Sequence, residues 1–256
     1  MLSSLNEREF KQIREPGRRI TLVNIKAELN VCSFHLLFII TALPVQLMLT
    51  FFVIFISGWV TLHHWGILYL IPFHNNFWVK YIVGFFLMDF FEYVYHVIMH
   101  KSPRLWNFHT VHHTDEEMDV STTVREHPGE TFVRVCFQMV WVFLSGAGIG
   151  LLLLRQTVQT FANLVAHTHL KLPARTEKIC GMLFITPSLH HVHHHFELPY
   201  TDCNYGDVFS VWDRLFGTFK EMKTTDIQFG LDVYQGYSTT RFSDLLKFPF
   251  VKRTKH

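Results

Sequence analysis

Charge is scarce in this chain. Asp, Glu, Lys and Arg make up 17% of its 256 residues, against 49% apolar residues. A soluble domain carries about a quarter charged residues, so an ordinary water-facing surface is excluded. Cysteine is also scarce. Cys32, Cys136, Cys180 and Cys203 form no CxxC pair, which excludes a zinc knuckle, a disulfide framework and an iron–sulfur ligand set. They read as small packing residues. No Gly-rich dinucleotide motif is present, so any electrons for redox chemistry come from a separate donor. The net charge of +2, with no basic stripe interleaved with aromatics, leaves no footprint for nucleic acid. The first thirty residues carry Arg8, Lys11, Arg14, Arg18, Arg19 and Lys26 and show neither a signal-peptide nor a lipidation pattern.

Long apolar runs are what the chain has instead. Val31 to Ser57 holds no charged residue, and about 20 such residues span hydrocarbon. Pro44 is expected to kink this span. Trp59 to Phe77 lacks Lys and Arg and, with Trp59, Trp65 and Tyr69, reads as an interfacial segment. A second span is expected from Phe77 to His96 and a third from Phe132 to Leu154. Arg155 then leads to a shorter apolar stretch, Thr157 to Leu170, expected to form a hairpin with the third. The fold expected is all-α: an integral-membrane helical bundle of two to four spans with a cytoplasmic histidine-rich helical cap. Residues 1–30 read as an N-terminal cytoplasmic segment, 31–223 as the membrane-embedded catalytic domain, and 224–256 as a C-terminal tail. Lys101, Arg104 and Arg125 match the basic N-terminal segment in sign, and the positive-inside rule then places both termini on the cytoplasmic side.

Histidine is concentrated. Of 18 in the chain, 13 fall between His96 and His195, in clusters His96-x-x-x-His100, His109-x-x-His112-His113 and the run His190 to His195. All three lie on the predicted cytoplasmic face, where neutral imidazoles make a transition-metal site. Asp89, Glu92, His96 and His100 share one helix face by their spacing of three, four and four. Carboxylates within a span are costly unless partnered, so Asp89 is expected to orient a ligating imidazole and Glu92 to orient or to bind. The HxxHH unit of His109 recurs 81 residues later, which suggests two metals sharing the imidazoles. Spacing alone leaves the register of the run open between His190/His193/His194 and His191/His194/His195. His35, His63, His64, His74 and His256 are expected in interface or loop roles.

Further motifs accompany these clusters. Pro103-x-x-Trp106-x-x-His109 leads into HxxHH, and Thr122-x-x-Arg125-x-His127-Pro128-x-Glu130 follows. Next come Asn163-x-x-x-His167, Leu172-Pro173, Thr186-Pro187-x-x-His190, Asn204-Tyr205-Gly206 and Trp212-Asp213-Arg214-Leu215-Phe216-Gly217-Thr218. From Asp89 to Phe219 the chain resembles the fatty acid hydroxylase/sterol desaturase superfamily of integral-membrane di-iron oxygenases. The resemblance implies two iron ions and a metal set of His96, His100, His109, His112, His113, His167, His190, His193 and His194. It puts Asn163 at a tenth, weaker or water-mediated position, and His127 beside the ligands. His191 becomes a neighbour, and the role of His169 stays open.

Breaking an unactivated C–H bond needs an oxidant that side chains do not provide, and a metal that binds O₂ does. The expected function is therefore hydroxylation or desaturation of a lipid, such as a sterol or fatty acyl chain, with O₂ and external electrons. The surrounding Phe, Tyr and Trp are expected to hold the lipid tail and exclude water. The host membrane reads as a bacterial inner membrane or endoplasmic reticulum. The alternative is a histidine-rich membrane metal transporter or metal-binding protein, which predicts imidazoles strung along a path across the bilayer.

Overall fold

The computed structural model describes residues 38–231 and 241–251. Cys32, His35, His256 and the expected N-terminal segment lie outside them. Helix α1 (Leu43–Leu62) follows one π-wound turn, Phe38–Ala42. Pro44 sits in the first turn of α1, where its missing N–H interrupts no hydrogen bond; the change in winding falls just before it rather than as a mid-helix kink. A short α2 (Ile67–Leu70) and then α3 (Phe77–Lys101) follow. The Asn76 side chain caps α3 by accepting from the Val79 N–H at 3.1 Å. Among the described residues two segments are long and apolar enough to cross a membrane, Ile39–Leu70 and Phe77–Lys101.

The third span expected from sequence is instead a turn between two helices. Helix α5 (Pro128–Ser145) ends at Gly146, and α6 (Ile149–Ala166) begins three residues later. Gly146 adopts φ +75° and abuts Gly66 at φ +105° in the α1–α2 turn. A Cβ on Gly146 would lie 2.2 Å from the Trp65 carbonyl oxygen, and one on Gly66 2.3 Å from the Gly146 nitrogen. Only glycine permits both the conformation and the approach. The hairpin is therefore shifted towards the N-terminus, and Arg155 lies buried within α6 rather than at a boundary.

Leu49 and Val53 of α1, Met88 and Phe91 of α3, Val135 and Val142 of α5, and Leu151 and Leu152 of α6 make the apolar core. At Gly84 the α3 backbone meets Leu151 so closely that a Cβ would stand 2.4 Å from its Cδ2. Such small-residue contacts hold helices together where lipid removes the hydrophobic drive. The polar half is built from α4 (Pro103–His113), a 3₁₀ turn at Val120–Val124, α7 (Ala174–Gly181), α8 (Pro187–His193) and α9 (Val211–Phe216). Within the C-terminal segment, α10 (Phe242–Lys247) packs Leu245, with Phe248, against Val111 of α4.

Candidate metal centre

One loop, before α9, brings the histidine helices together. Asp213 accepts from the Tyr205 and Gly206 N–H groups at 2.7 and 2.8 Å and from the Thr218 hydroxyl at 2.7 Å, which shapes the loop before α9. That loop then presents two carbonyls to ligand-bearing helices. His96 Nδ1–H donates to the Tyr205 carbonyl at 2.9 Å, and His193 Nδ1–H to that of Cys203 at 2.7 Å. His167, at the C-terminal end of α6, donates from Nδ1 to the Asn163 carbonyl at 2.7 Å, and His109 donates from Nδ1 to Glu130 at 2.5 Å. In each case the outer nitrogen is occupied, which fixes the tautomer and turns the Nε2 lone pair inward.

All nine histidines of the expected metal set converge, in two groups whose donor atoms lie within 4.8 Å of one another. One group is His96, His100, His109, His113 and His193; the other is His112, His167, His190 and His194. The two HxxHH helices share their side chains reciprocally. Helix α4 gives its i,i+4 pair, His109 and His113, to the first group and His112 to the second. Helix α8 and its C-cap give the i,i+4 pair His190 and His194 to the second and His193 to the first.

The donor chemistry fits transition-metal ions. Facing Nε2 atoms stand 3.2 Å apart for His96–His109, 3.3 Å for His112–His167 and 3.1 Å for His167–His190. Two donors at about 2.1 Å from one ion and at right angles are about 3 Å apart. Nε2 of His100, both ring nitrogens of His113, and Nε2 of His193 and His194 are buried without a hydrogen-bond partner. Such orphaned groups are costly unless a cation meets them. Burial, reinforced by neighbouring imidazoles, holds His112, His113, His190 and His194 well below the ordinary histidine value. Burial likewise brings His193 to about 3 and His167 to about 4, outweighing their backbone carbonyl partners. All are thus neutral, as metal binding requires.

A stability consequence follows for the iron-free chain. The unfolded histidines take up protons near pH 6.5, whereas the folded ones resist, so stability is full above that value. It is expected to fall as pH drops towards 4, read as a decreasing Tm for iron-stripped protein in detergent between pH 7.5 and 5. A Tm rising over this range would contradict buried neutral imidazoles.

The other candidates separate. Asp89 is buried but accepts from the Trp212 indole at 2.8 Å and the Val208 N–H at 3.3 Å, so it anchors the α9 loop and does not orient an imidazole. Glu92 pairs with Arg155 at 3.3 Å while lining the cavity beside the histidines. His127 caps α5 by accepting from Gly129 N–H and donates to the Leu246 carbonyl; its ring neighbours are Phe108 and Phe250, not the ligand histidines. Capping and docking of α10 use both its nitrogens, in place of the position beside the ligands that the resemblance implied. His191 packs against His169 and Phe229, outside both groups. Asn163 reaches the cavity and hydrogen-bonds Asp207. His63 and His64 lie in the turn after α1, their rings against Trp59 and Tyr69.

Sequence reasoning missed the carboxylate that does orient a ligand. Glu130 stands in the first turn of α5, an acidic residue two positions after Pro128 that could have been singled out. It also missed Asp202, 3.4 Å from His100 Nδ1. Replacing Glu130 by glutamine keeps the helix and weakens the acceptor. Iron affinity is expected to fall about 10–100-fold, measured by chelator competition.

The walls beside the histidines also differ from expectation. A cavity of about 110 Å³ is lined by His96, His109, His112, His167 and His190 and by Glu92, Tyr95, Thr123, Glu126, Glu130, Arg134, Gln159, Asn163, Gly206 and Asp207. Tyr95 is the one aromatic among them besides histidine; Phe and Trp pack elsewhere, as in the Phe91–Trp141 stack at 4.7 Å.

The fatty acid hydroxylase family model matches residues 81–218, more than half of the chain. An ornithine lipid hydroxylase of Rhizobium tropici is 29% identical over 177 residues, covering 65% of this chain and 53% of the relative. An alkylglycerol monooxygenase of Caenorhabditis elegans is 31% identical over 55% of this chain and 27% of its own length. Human cholesterol 25-hydroxylase is 29% identical over 53% of this chain and 48% of its own. The chain thus spans about half or less of the length of these relatives. No solved structure matches it. The family uses iron, and the histidine groups described above are able to bind it. By its match and its motifs, the chain belongs to the fatty acid hydroxylase family.

Proposed function

We propose that this protein is a membrane-bound oxygenase that hydroxylates, or desaturates, a lipid at a centre of two irons. The observation that carries this reading is the convergence of nine buried imidazoles in two groups. Relatives named as hydroxylases and monooxygenases of ornithine lipid, alkylglycerol and cholesterol support it. His96, His100, His109, His113 and His193 would hold one ion, and His112, His167, His190 and His194 the other. Iron, when bound, supplies O₂ activation for attack on an unactivated C–H bond. The chain's own residues keep the ligands neutral, fix their tautomers through Glu130 and backbone carbonyls, and exclude bulk water by burial. The overall hydroxylation balances as R–H + O₂ + two electrons + two protons giving R–OH + H₂O. The electrons come from a separate donor protein.

The catalytic unit on this reading is 31–223, and 224–256 is the C-terminal tail, whose described helix α10 packs Leu245 against Val111 of α4. The active site faces the cytoplasm, a placement supported by Lys101, Arg104 and Arg125 near the histidines and by the positive-inside rule. The host membrane is a bacterial inner membrane or the endoplasmic reticulum. A metal transporter is less well supported, because the imidazoles gather at the C-terminal end of α3 rather than along it. Lipid extracts of cells with and without the intact gene, together with metal analysis of the purified full chain, test the reading. An oxidised lipid present only with the gene, and iron on the protein, are expected. Metal uptake into vesicles with no lipid oxidised would favour transport.

A further inference from the structure

The walls of the cavity carry information about which part of a lipid reacts. Beyond the histidines they are made by Glu92, Tyr95, Thr123, Glu126, Gln159 and Asp207, with Arg134 paired to Glu126 at 2.7 Å. Pockets for hydrocarbon are lined mainly by apolar side chains, with few polar groups. A methylene chain placed here would leave the unpaired polar atoms of these walls without water and without hydrogen bonds.

Unmet hydrogen-bonding capacity gives an independent indication. Tyr95 Oη, Thr123 Oγ1, Glu126 Oε1, Glu130 Oε2 and Arg134 Nε belong to lining residues and are buried without partners. Tyr95, Glu126 and Glu130 are each more than nine-tenths buried. Buried polar groups in folded proteins are nearly all satisfied, so a set of orphans at one cavity points to polar ligand atoms that complete it.

An apolar groove does exist, but on the other side of the helix. Ile82, Val83, Phe86, Leu87 and Phe90 of α3, with residues of α9, line a groove of about 480 Å³. At 3.6 residues per turn this face of α3 is roughly 200° from that of Glu92, Tyr95 and His96. The hydrocarbon-lined surface and the imidazole-lined cavity are therefore on opposite faces of one span.

We propose that the carbon oxidised lies in, or directly beside, the polar head of the lipid, and that the hydrocarbon tail stays outside the cavity. This rests on the oxygenase reading above and narrows its substrate class to lipids with a hydrogen-bonding head next to the reacting C–H. The step is the balanced hydroxylation already written, with electrons from the same separate donor protein.

The test grows cells bearing the full chain, and cells lacking it, under ¹⁸O₂ and fragments their lipids by tandem mass spectrometry. The expected result is one gene-dependent ¹⁸O on the head or backbone fragment. Label on a fatty acyl or other hydrocarbon fragment, remote from any polar group, overturns the inference and leaves the oxygenase reading standing. A gene-dependent loss of two hydrogens without label is scored by its position in the same way, and the absence of both changes overturns both readings. A variant with apolar cavity walls, Tyr95→Phe with Gln159→Leu, adds a second readout. Bound iron and Tm are expected to stay near the unchanged protein while head-labelled product falls at least tenfold. Unchanged product with iron retained overturns the inference. Loss of iron or Tm in step with product assigns these side chains to structure and also counts against it.

Discussion

His193→Ala abolishes lipid oxidation and lowers the iron bound to the purified protein. His193 is the contribution of α8 to the five-imidazole group, fully buried, with Nδ1–H given to the Cys203 carbonyl and Nε2 otherwise unpartnered. Alanine removes a donor and leaves space among four imidazoles that no remaining side chain fills. Changes to groups that only orient ligands cost about 10–100-fold in affinity or activity, so loss of a ligand exceeds the upper end of that range. His112→Ala does the same to the four-imidazole group. The pair of variants also counts ions. With one iron in each group, each variant binds about half the iron of the unchanged protein, or less. Full activity with a ligand gone, or iron unchanged in both variants, would remove the basis of the proposed centre.

The clusters were legible because helical spacing translates directly into direction, whereas His167 and the register of the run from His190 came from the family resemblance. His109 and His113, four apart, do face one group, and so do His190 and His194. What spacing alone did not reveal is the exchange of the third member: His112 and His193 go to opposite groups because the two helices face each other across the site. Position in three dimensions also decided the carboxylates. Asp89 shares a stripe with His96, yet its oxygens meet Trp212, a residue 123 positions later. Glu130 is remote in sequence from His109 and touches it at 2.5 Å. The α5–α6 turn was missed for a local reason. Ser145-Gly146-Ala147-Gly148 is a short apolar interruption inside a hydrophobic run, and hydropathy averaged over a span passes through it. Its requirement for glycine becomes visible only with Gly66 packed against it. Polarity at the cavity was hidden for the same kind of reason, since Glu92, Gln159 and Asp207 come from α3, α6 and a loop.

Arg155→Leu destabilises the protein by about 3–5 kcal/mol, the usual cost of removing one partner from a buried ion pair. Arg155 is 3% exposed and reaches Glu92 at 3.3 Å and Asp207 at 3.4 Å, so one guanidinium neutralises two carboxylates from separate parts of the chain. Leucine suits the surrounding apolar helices but leaves both charges buried beside each other. Lysine is a poor replacement, because a point charge on a flexible stem does not reproduce a planar fork. Burial already pushes the Asp207 carboxyl above its ordinary range, with Arg155 opposing that push. Without the arginine the folded state holds a proton there more tightly than the unfolded chain, so the stabilisation from protonation is lost as pH rises. The difference in Tm between variant and unchanged protein in detergent should therefore be largest near pH 8 and narrow towards pH 6. Adding Glu92→Gln and Asp207→Asn to Arg155→Leu removes the stranded charges and should recover a large part of the lost stability. No recovery in that triple variant, or a Tm gap that widens on acidification, would mean that Arg155 contributes by packing rather than by neutralising these carboxylates.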